Sequence, residues 1–182
     1  MNENLEAFHV GSLGIIEGAD ADLWADFFCQ ANRHGGIRSL DPNVRAMLIH
    51  DRSAYLDRLW RMLSNTDLLK LSDEDLEWIY PNMSLDDALV ELRKNTSAQL
   101  TILTMGADGC RAISKTTEIA LPASPVDNLQ DTVGAGDTFM ATLLAGLRSR
   151  NLLAIDKLAT IADNDLECIL RAALTAAAIN CE

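Results

Sequence analysis

Short apolar runs alternate with amphipathic segments along this chain. Brief hydrophobic runs bounded by polar residues or glycine predict strands, and apolar positions that recur every three or four residues predict helices. The predicted strands span residues 8–13, 37–40, 67–71, 100–104, 110–114 and 118–121. The predicted helices span residues 20–32, 53–63, 85–92, 134–147 and 165–179, with one more beginning at residue 72. This alternation is typical of a mostly parallel sheet covered by helices on both faces.

Two of the helices carry distinctive local signals. In the helix over residues 20–32, the spacing places four apolar side chains on one stripe, the pattern of a helix that packs on a core. They are Leu23, Trp24, Phe27 and Phe28, and Gly35 and Gly36 are expected to end the helix. At the other helix, Ser72 and Asp75 have the spacing of a capping box, and Leu71 is placed to pack on Leu76.

Composition and charge narrow the class of protein. The chain has 182 residues, of which 48% are hydrophobic, and this is enough for one domain with a sizeable core. The formal net charge of -12 argues against a nucleic-acid surface and against binding to anionic membranes, because both demand clustered Lys and Arg. No apolar run approaches the roughly 18–20 residues needed to span a bilayer, and the start is not basic. A cytoplasmic enzyme is expected.

The cysteines and histidines show no metal-ligand or redox spacing. We expect reduced, buried thiols and isolated packing or surface histidines. The residues concerned are Cys29, Cys110, Cys168, Cys181, His9, His34 and His50.

The most informative segment is residues 131–139, which read Asp-Thr-Val-Gly-Ala-Gly-Asp-Thr-Phe. The small residues Gly134, Ala135 and Gly136 open a helix, so a phosphoryl group can approach the free N–H groups and the positive dipole end there. Asp137 in the first turn suits a site where a hydroxyl loses its proton as it attacks. The alternative is a glycine-rich turn whose acidic residue only complements the dipole. The segment lacks the lysine of a Walker A loop and the third glycine of a dinucleotide fingerprint.

Residues 131–139 resemble the C-terminal signature of the ribokinase-like (PfkB) carbohydrate kinases. Four other segments agree in order: residues 9–13, 41–45, 70–75 and 104–109. Within the family, Asp-Pro-Asn-Val-Arg at 41–45 and Lys-Leu-Ser-Asp-Glu at 70–74 look most like bacterial fructokinases. The resemblance implies a three-layer α/β ribokinase-like fold with a mostly parallel central sheet. Because the family's N-terminal sugar-binding segment and β lid are not visible, residues 1–182 are interpreted as a partial kinase domain.

The resemblance also implies roles for the phosphate-side residues. Asp137 would take or orient the proton of the attacking hydroxyl, while Gly134, Ala135 and Gly136 would stabilise charge on the transferred phosphoryl group. Arg45 would contact phosphate or substrate from the opposite side, although an ordinary surface arginine is the alternative.

Ser72 and Asp75 match the family's Asn-x-x-Glu motif, which organises water around Mg²⁺ and the nucleotide phosphates. The sequence departs from that motif in both residues, and Asp75 is expected to reach Mg²⁺ only through water. A capping box alone also explains Ser72.

Nucleotide and monovalent-cation contacts are implied further along the chain. Thr104, Gly106 and Gly109 match the family's nucleotide-wrapping segment, although such glycines often mean only a tight turn. Asp131 and the carbonyl of Val133 match ligands of a monovalent cation, such as K⁺. Asp131 could alternatively cap its own turn.

The expected function is therefore ATP-dependent phosphorylation of a sugar hydroxyl, with fructose to fructose 6-phosphate as the favoured reaction and ATP and Mg²⁺ as cofactors. Two alternatives stay open: a kinase for ribose, 2-keto-3-deoxygluconate or a nucleoside, and a non-catalytic nucleotide-binding remnant. This chain alone is expected to be inactive, and the full-length enzyme is compatible with a homodimer.

Overall fold

The computed structural model describes residues 5–31 and 36–182. The sequence-based interpretations of His34 and Gly35 lie outside these residues. The strands are β1 (Ala7–Gly11), β2 (Ile37–Asp41), β3 (Leu68–Ser72), β4 (Leu100–Thr104), β5 (Cys110–Ile113) and β6 (Glu118–Leu121). The helices are α1 (Ala19–Gln30), α2 (Arg52–Leu63), α3 (Asp73–Ile79), α4 (Leu85–Lys94), α5 (Ala135–Ser149), α6 (Ile155–Ala159) and α7 (Asp163–Asn180).

The strands form one sheet in the order β1-β2-β3-β4-β5-β6. The first four run parallel, and β5 and β6 continue antiparallel. Helices between parallel strands are the connections that such a sheet requires. The predicted strand 8–13 is shorter in the structure, because a 3-10 turn begins at residue 12. The short helix α6 was not predicted.

Each face of the sheet has its own apolar core. Alternate strand residues such as Leu40, Leu69 and Leu103 pack with α1 to α4, whereas Leu68 and Ile102 pack with α5 to α7. Alternation arises because successive strand side chains point to opposite faces. The fold is therefore the expected three-layer α/β arrangement, and the core lies on both sides of the sheet.

Polar contacts fix the strands from which the site is built. Arg38 in β2 and Asp67 before β3 form a buried pair, in which the Arg38 backbone N–H donates to Asp67 Oδ2 at 2.7 Å and the guanidinium contacts both carboxylate oxygens at 3.2 Å. The predicted capping box at α3 is confirmed, since the side chains of Ser72 and Asp75 each accept the other's backbone N–H. β3 therefore passes directly into a helix with no loop between them.

The predicted helix α1 forms, but three of the four residues of its apolar stripe are exposed. Phe28 is buried, but Leu23, Trp24 and Phe27 are 65%, 47% and 36% exposed. The core-facing side of α1 is formed by Ala21, Ala25 and Phe28. These positions at i, i+4 and i+7 make a helical face of their own, and the small alanines allow α1 to approach the core closely.

Two further expectations from the sequence concern the burial of the cysteines and the absence of a membrane-spanning segment. Cys110 and Cys181 are buried as expected, whereas Cys29 is half-buried and Cys168 is exposed, so burial was predicted wrongly for these two. Among the described residues, no helix is both long enough and apolar enough to cross a membrane.

Candidate active site

A cavity of about 580 Å³ lies at the carboxyl ends of β3 and β4, beside the start of α5. Open α/β sheets bind ligands at this edge. The cavity brings together every predicted site residue except Asp131. Those that line it are Arg45, Ser72, Asp75, Thr104, Gly106, Gly109, Val133, Gly134, Ala135, Gly136 and Asp137.

The loop before α5 has the geometry of an anion site. Gly134 is the N-cap residue and has φ 83°, a left-handed conformation that favours glycine. The Thr138 N–H donates to the Gly134 carbonyl at 2.8 Å, which closes the first helical bond. The N–H groups of Gly136 and Asp137 in this first turn have no intrahelical acceptor and are available to an anion. Asp137 is exposed to solvent beside them.

Asn180, the last residue of α7, fixes this loop. Its side-chain amide donates to the Val133 carbonyl at 2.9 Å, and its Oδ1 accepts a hydrogen bond from the Thr138 hydroxyl at 3.0 Å. One amide therefore bridges both sides of the Gly134 turn. Sequence reasoning missed Asn180, because nothing in the pattern links residues 47 positions apart.

The two predicted ligands of a monovalent cation already have partners within the loop. Asp131 Oδ1 accepts the Val133 N–H at 2.9 Å, which is the turn-capping contact named as its alternative role. The Val133 carbonyl accepts from Asn180. Both oxygens retain further lone pairs. The cation site stays a prediction. Asp131 Oδ1 and the Val133 carbonyl oxygen could bind a hard cation only while they also accept these hydrogen bonds.

Asp75 joins α3 to the segment that carries Arg45. The Asp75 side chain is buried, its Oδ1 accepts the Val44 N–H at 2.7 Å, and its Oδ2 accepts the Ser72 N–H at 2.9 Å. Arg45 follows immediately, is exposed and lines the cavity. The preceding Asn43 has φ 42°, so the chain makes a tight left-handed bend before Arg45.

The chemistry of this donor set fits Mg²⁺ through water. Both Asp75 oxygens accept N–H groups, but a carboxylate has about four acceptor positions. Across residues 5–31 and 36–182, no three His, Cys, Asp or Glu side chains converge as a metal cluster. Mg²⁺ in kinase sites is typically held by one or two carboxylates, several waters and the substrate phosphates. Asp75 could supply one of those carboxylates through water.

The two glycines after β4 differ in what surrounds them. Gly109 has φ 95°, and a Cβ there would collide with the carbonyl of Leu121 in β6. Gly106 has φ 51°, and a Cβ would meet nothing within 4 Å. Gly109 is therefore required by packing, whereas Gly106 leaves open space beside the cavity.

A cluster of polar side chains from β1, β2 and β3 lies under the start of α5, and the sequence analysis assigned these side chains no role. Lys70 Nζ donates to Asp41 Oδ2 at 2.8 Å, and His9 Nδ1 lies 3.0 Å from Ser39 Oγ. Burial raises the pKa of the Asp41 carboxyl, and the Lys70 ammonium opposes part of that rise. Loss of hydration lowers the pKa of His9, and Lys70 lowers it further. Strand alternation is the signal that could have placed all four on the α5 face.

Comparison with known families gives a decisive match. The pfkB family carbohydrate kinase model matches residues 2–182. The chain belongs to this family. It is 33% identical over 166 residues to a fructokinase of Rhizobium leguminosarum bv. trifolii, an alignment that covers 91% of this chain and 50% of that protein.

Solved kinase structures share the fold. The crystal structure of aminoimidazole riboside kinase from Salmonella enterica, complexed with aminoimidazole riboside and an ATP analog, has a TM-score of 0.83 at 24% identity, over 97% of this chain and 56% of that chain. A double-mutant fructokinase from Vibrio cholerae, with fructose, ADP and potassium ion bound, has a TM-score of 0.84 at 22% identity, over 100% and 56%. The chain thus spans about half the length of these kinases.

Proposed function

We propose that this chain is the phosphate-binding and catalytic portion of an ATP-dependent sugar kinase, with fructose as the favoured substrate. One observation carries the proposal: a single cavity unites the anion loop of α5, Asp137 and the segment that carries Arg45. A nucleotide-binding remnant would keep an anion loop, but it would have no need of a carboxylate beside it.

Phosphoryl transfer then assigns each group its part. The sugar hydroxyl oxygen forms a bond to the γ-phosphorus while the bond from that phosphorus to the β,γ-bridging oxygen breaks, and ADP leaves with the electron pair. Asp137 takes or orients the hydroxyl proton. The free N–H groups of Gly136 and Asp137 stabilise the equatorial oxygens, Gly134 and Ala135 keep the loop open to the phosphoryl group, and Arg45 acts from the opposite side.

The remaining residues bind the nucleotide and ions. Thr104, Gly106 and Ser72 are proposed to border ATP, with Gly109 shaping the turn. When bound with ATP, Mg²⁺ neutralises charge on the β- and γ-phosphates. Asp75 would hold it through water. Asp131 and the Val133 carbonyl are proposed as K⁺ ligands, and the potassium ion named for the Vibrio fructokinase supports this assignment.

The choice of sugar rests on resemblance. Two family members with nearly equal structural similarity are named for different substrates, a riboside and fructose. Fructose is proposed because the 33% identical relative is a fructokinase. Ribose, 2-keto-3-deoxygluconate and nucleosides remain the alternatives, because the family's sugar-binding segment is not visible in this sequence.

We also propose that residues 1–182, as a partial domain, have little activity without the part of the family domain that they do not cover. The open side of the sheet supports this proposal. Within the described residues, β1 pairs only with β2, so its outer edge carries no strand. The exposed Leu23, Trp24 and Phe27 lie on the neighbouring helix α1. A sugar held by few contacts is poorly oriented, and water reaches the phosphoryl group.

The test joins this chain to the part of the Rhizobium fructokinase that it does not cover and measures ADP release with fructose, ribose and glucose. The expected turnover with fructose is roughly 1–100 s⁻¹, the usual kinase range. Asp137→Asn should lower kcat by about 10²- to 10⁴-fold with little change in ATP affinity. Asp156→Asn is the matched control, because Asp156 also lies in a helical first turn but outside the cavity. No turnover by the joined protein would favour the remnant, and equal effects of both substitutions would remove Asp137 from catalysis.

A further inference from the structure

A buried lysine lies at the base of the candidate site. Lys70 is the third residue of β3, only 4% of its surface is exposed, and its side chain borders the cavity. Lysine is rarely buried to this extent unless it is paired. Its partner is Asp41 at the end of β2, at 2.8 Å, and both side chains are at most 5% exposed.

The ammonium lies directly beside the anion loop. A Cβ placed on Gly136 would come within 3.2 Å of Lys70 Nζ. Gly136 is one of the two first-turn residues of α5, with Asp137, whose N–H groups have no intrahelical acceptor. An ammonium has three N–H donors, and Asp41 is the hydrogen-bond acceptor found for Lys70 among the described residues. The remaining donors adjoin the space that a phosphoryl group would enter.

The balance of charge around the cavity gives this lysine a purpose. Asp75 and Asp137 lie close enough to Asp41 that their negative charges raise the pKa of the Asp41 carboxyl. Three carboxylates alone would repel a triphosphate. Arg45 is exposed on one side of the cavity, so Lys70 is the cation on the sheet side.

Asp41 is arranged to hold that cation in place. One carboxylate oxygen accepts from Lys70, while Oδ1 is buried and has no hydrogen-bond partner within the described residues. An unpartnered buried oxygen is costly. An ion pair optimised only for stability would give both carboxylate oxygens a hydrogen-bond donor. The Arg38–Asp67 pair, at the opposite end of the same two strands, does so.

We propose that Lys70 is a further catalytic residue, whose ammonium contacts the phosphoryl group bound at the start of α5, and that Asp41 is the positioning residue that holds it. This inference rests on the proposed kinase function. The charge of the Lys70 ammonium offsets the negative charge on the equatorial oxygens. The same contact distinguishes ATP from ADP, because only ATP carries the third phosphate.

Nucleotide binding to this chain provides the test. With Mg²⁺ present, the affinities for ATP and ADP are measured by calorimetry for the wild type, Lys70→Met, Asp41→Asn and the double variant Lys70→Met/Asp41→Asn. Loss of a charge-assisted hydrogen bond should weaken ATP binding by about 10- to 100-fold. ADP binding should fall much less, and Asp41→Asn, which keeps the ammonium, should lose less ATP affinity than Lys70→Met.

The control is Arg38→Met, which breaks a buried ion pair on the same strands away from the cavity and should lower the melting temperature without changing the ratio of the two affinities. Lys70→Met leaves the buried Asp41 carboxylate without its partner, and this could prevent the variant from folding. The double variant removes both charges, and its ATP and ADP affinities test the same point. If Lys70→Met or the double variant bound ATP as tightly as the wild type does, the role of Lys70 would be overturned and the kinase proposal would stay intact. A wild-type chain that binds neither nucleotide would overturn the nucleotide site itself, and this proposal with it.

Discussion

Helices α5 and α1 both pack on the same sheet, yet only α5 buries most of its large apolar side chains. α5 buries Phe139, Met140, Leu143 and Leu147 against the sheet and its neighbouring helices. α1 buries two alanines and Phe28 and leaves larger apolar side chains in solvent. An amphipathic pattern thus predicts that a helix forms, but it does not predict what covers each side. The large apolar side chains of α5 are mostly covered within this chain, whereas three of those on α1 are exposed.

The aromatic residues on the uncovered side already contact one another. Phe8 of β1 packs edge-on against Phe27 with ring centroids 5.0 Å apart, and Phe27 packs against Trp24 at 6.2 Å. Such a contiguous exposed apolar surface, beside a strand edge that is unpaired within the described residues, is typical of a surface that further polypeptide covers. We refer to Leu23, Trp24 and Phe27 as the α1 patch.

The largest expected difference between the two regions is in stability. Leu143→Ala should lower the free energy of unfolding by about 2–5 kcal/mol, because the side chain is fully buried. Leu23→Ala should change it by less than about 0.5 kcal/mol, because Leu23 is 65% exposed. Urea unfolding of the two variants measures the difference. Equal losses would mean that α1 is covered within this chain after all.

A smaller effect is expected where the site depends on buried hydrogen bonds. Asp75→Ala leaves the N–H groups of Val44 and Ser72 without their acceptor and should cost about 1–3 kcal/mol of unfolding free energy. Asp73→Ala in the same helical turn is the control and should cost about 0.5 kcal/mol, the size of a dipole contribution. Amide exchange should also speed up at Val44 in the first variant only. Unchanged exchange there would contradict the anchoring of the Arg45 segment.

The smallest change in stability is expected in the α1 patch itself. Trp24→Lys should alter the unfolding free energy by about 0.5–1.5 kcal/mol at most, the size of an aromatic pair, while lowering the fluorescence of the bound dye ANS. Ile179→Lys is the control, because Ile179 is also 65% exposed but lies outside the patch. If both variants reduced dye binding alike, the patch would be no more than scattered surface residues.

The sequence predicted those features that depend on neighbouring residues. Strand runs, the capping box at Ser72 and the loop before α5 are local patterns, and the structure contains all of them. The contacts of Asn180 and the Lys70–Asp41 pair join distant segments, so only the folded chain shows them. The apolar stripe of α1 did not indicate which side faces the core, because two alanines and Phe28 form that side. Both sides of α1 follow the helical period, so periodicity alone could not distinguish them.

The contact from Asn180 to the Val133 carbonyl has a consequence for how the protein is made. The residue that fixes the anion loop is translated 47 residues after the loop itself. At about 5–20 residues per second, this corresponds to a delay of roughly 2–9 s on the ribosome. During that interval the nascent chain already carries the Gly134 turn but not the amide that holds it. The phosphate-binding geometry is therefore completed only after α7 has been synthesised and has docked beside α5.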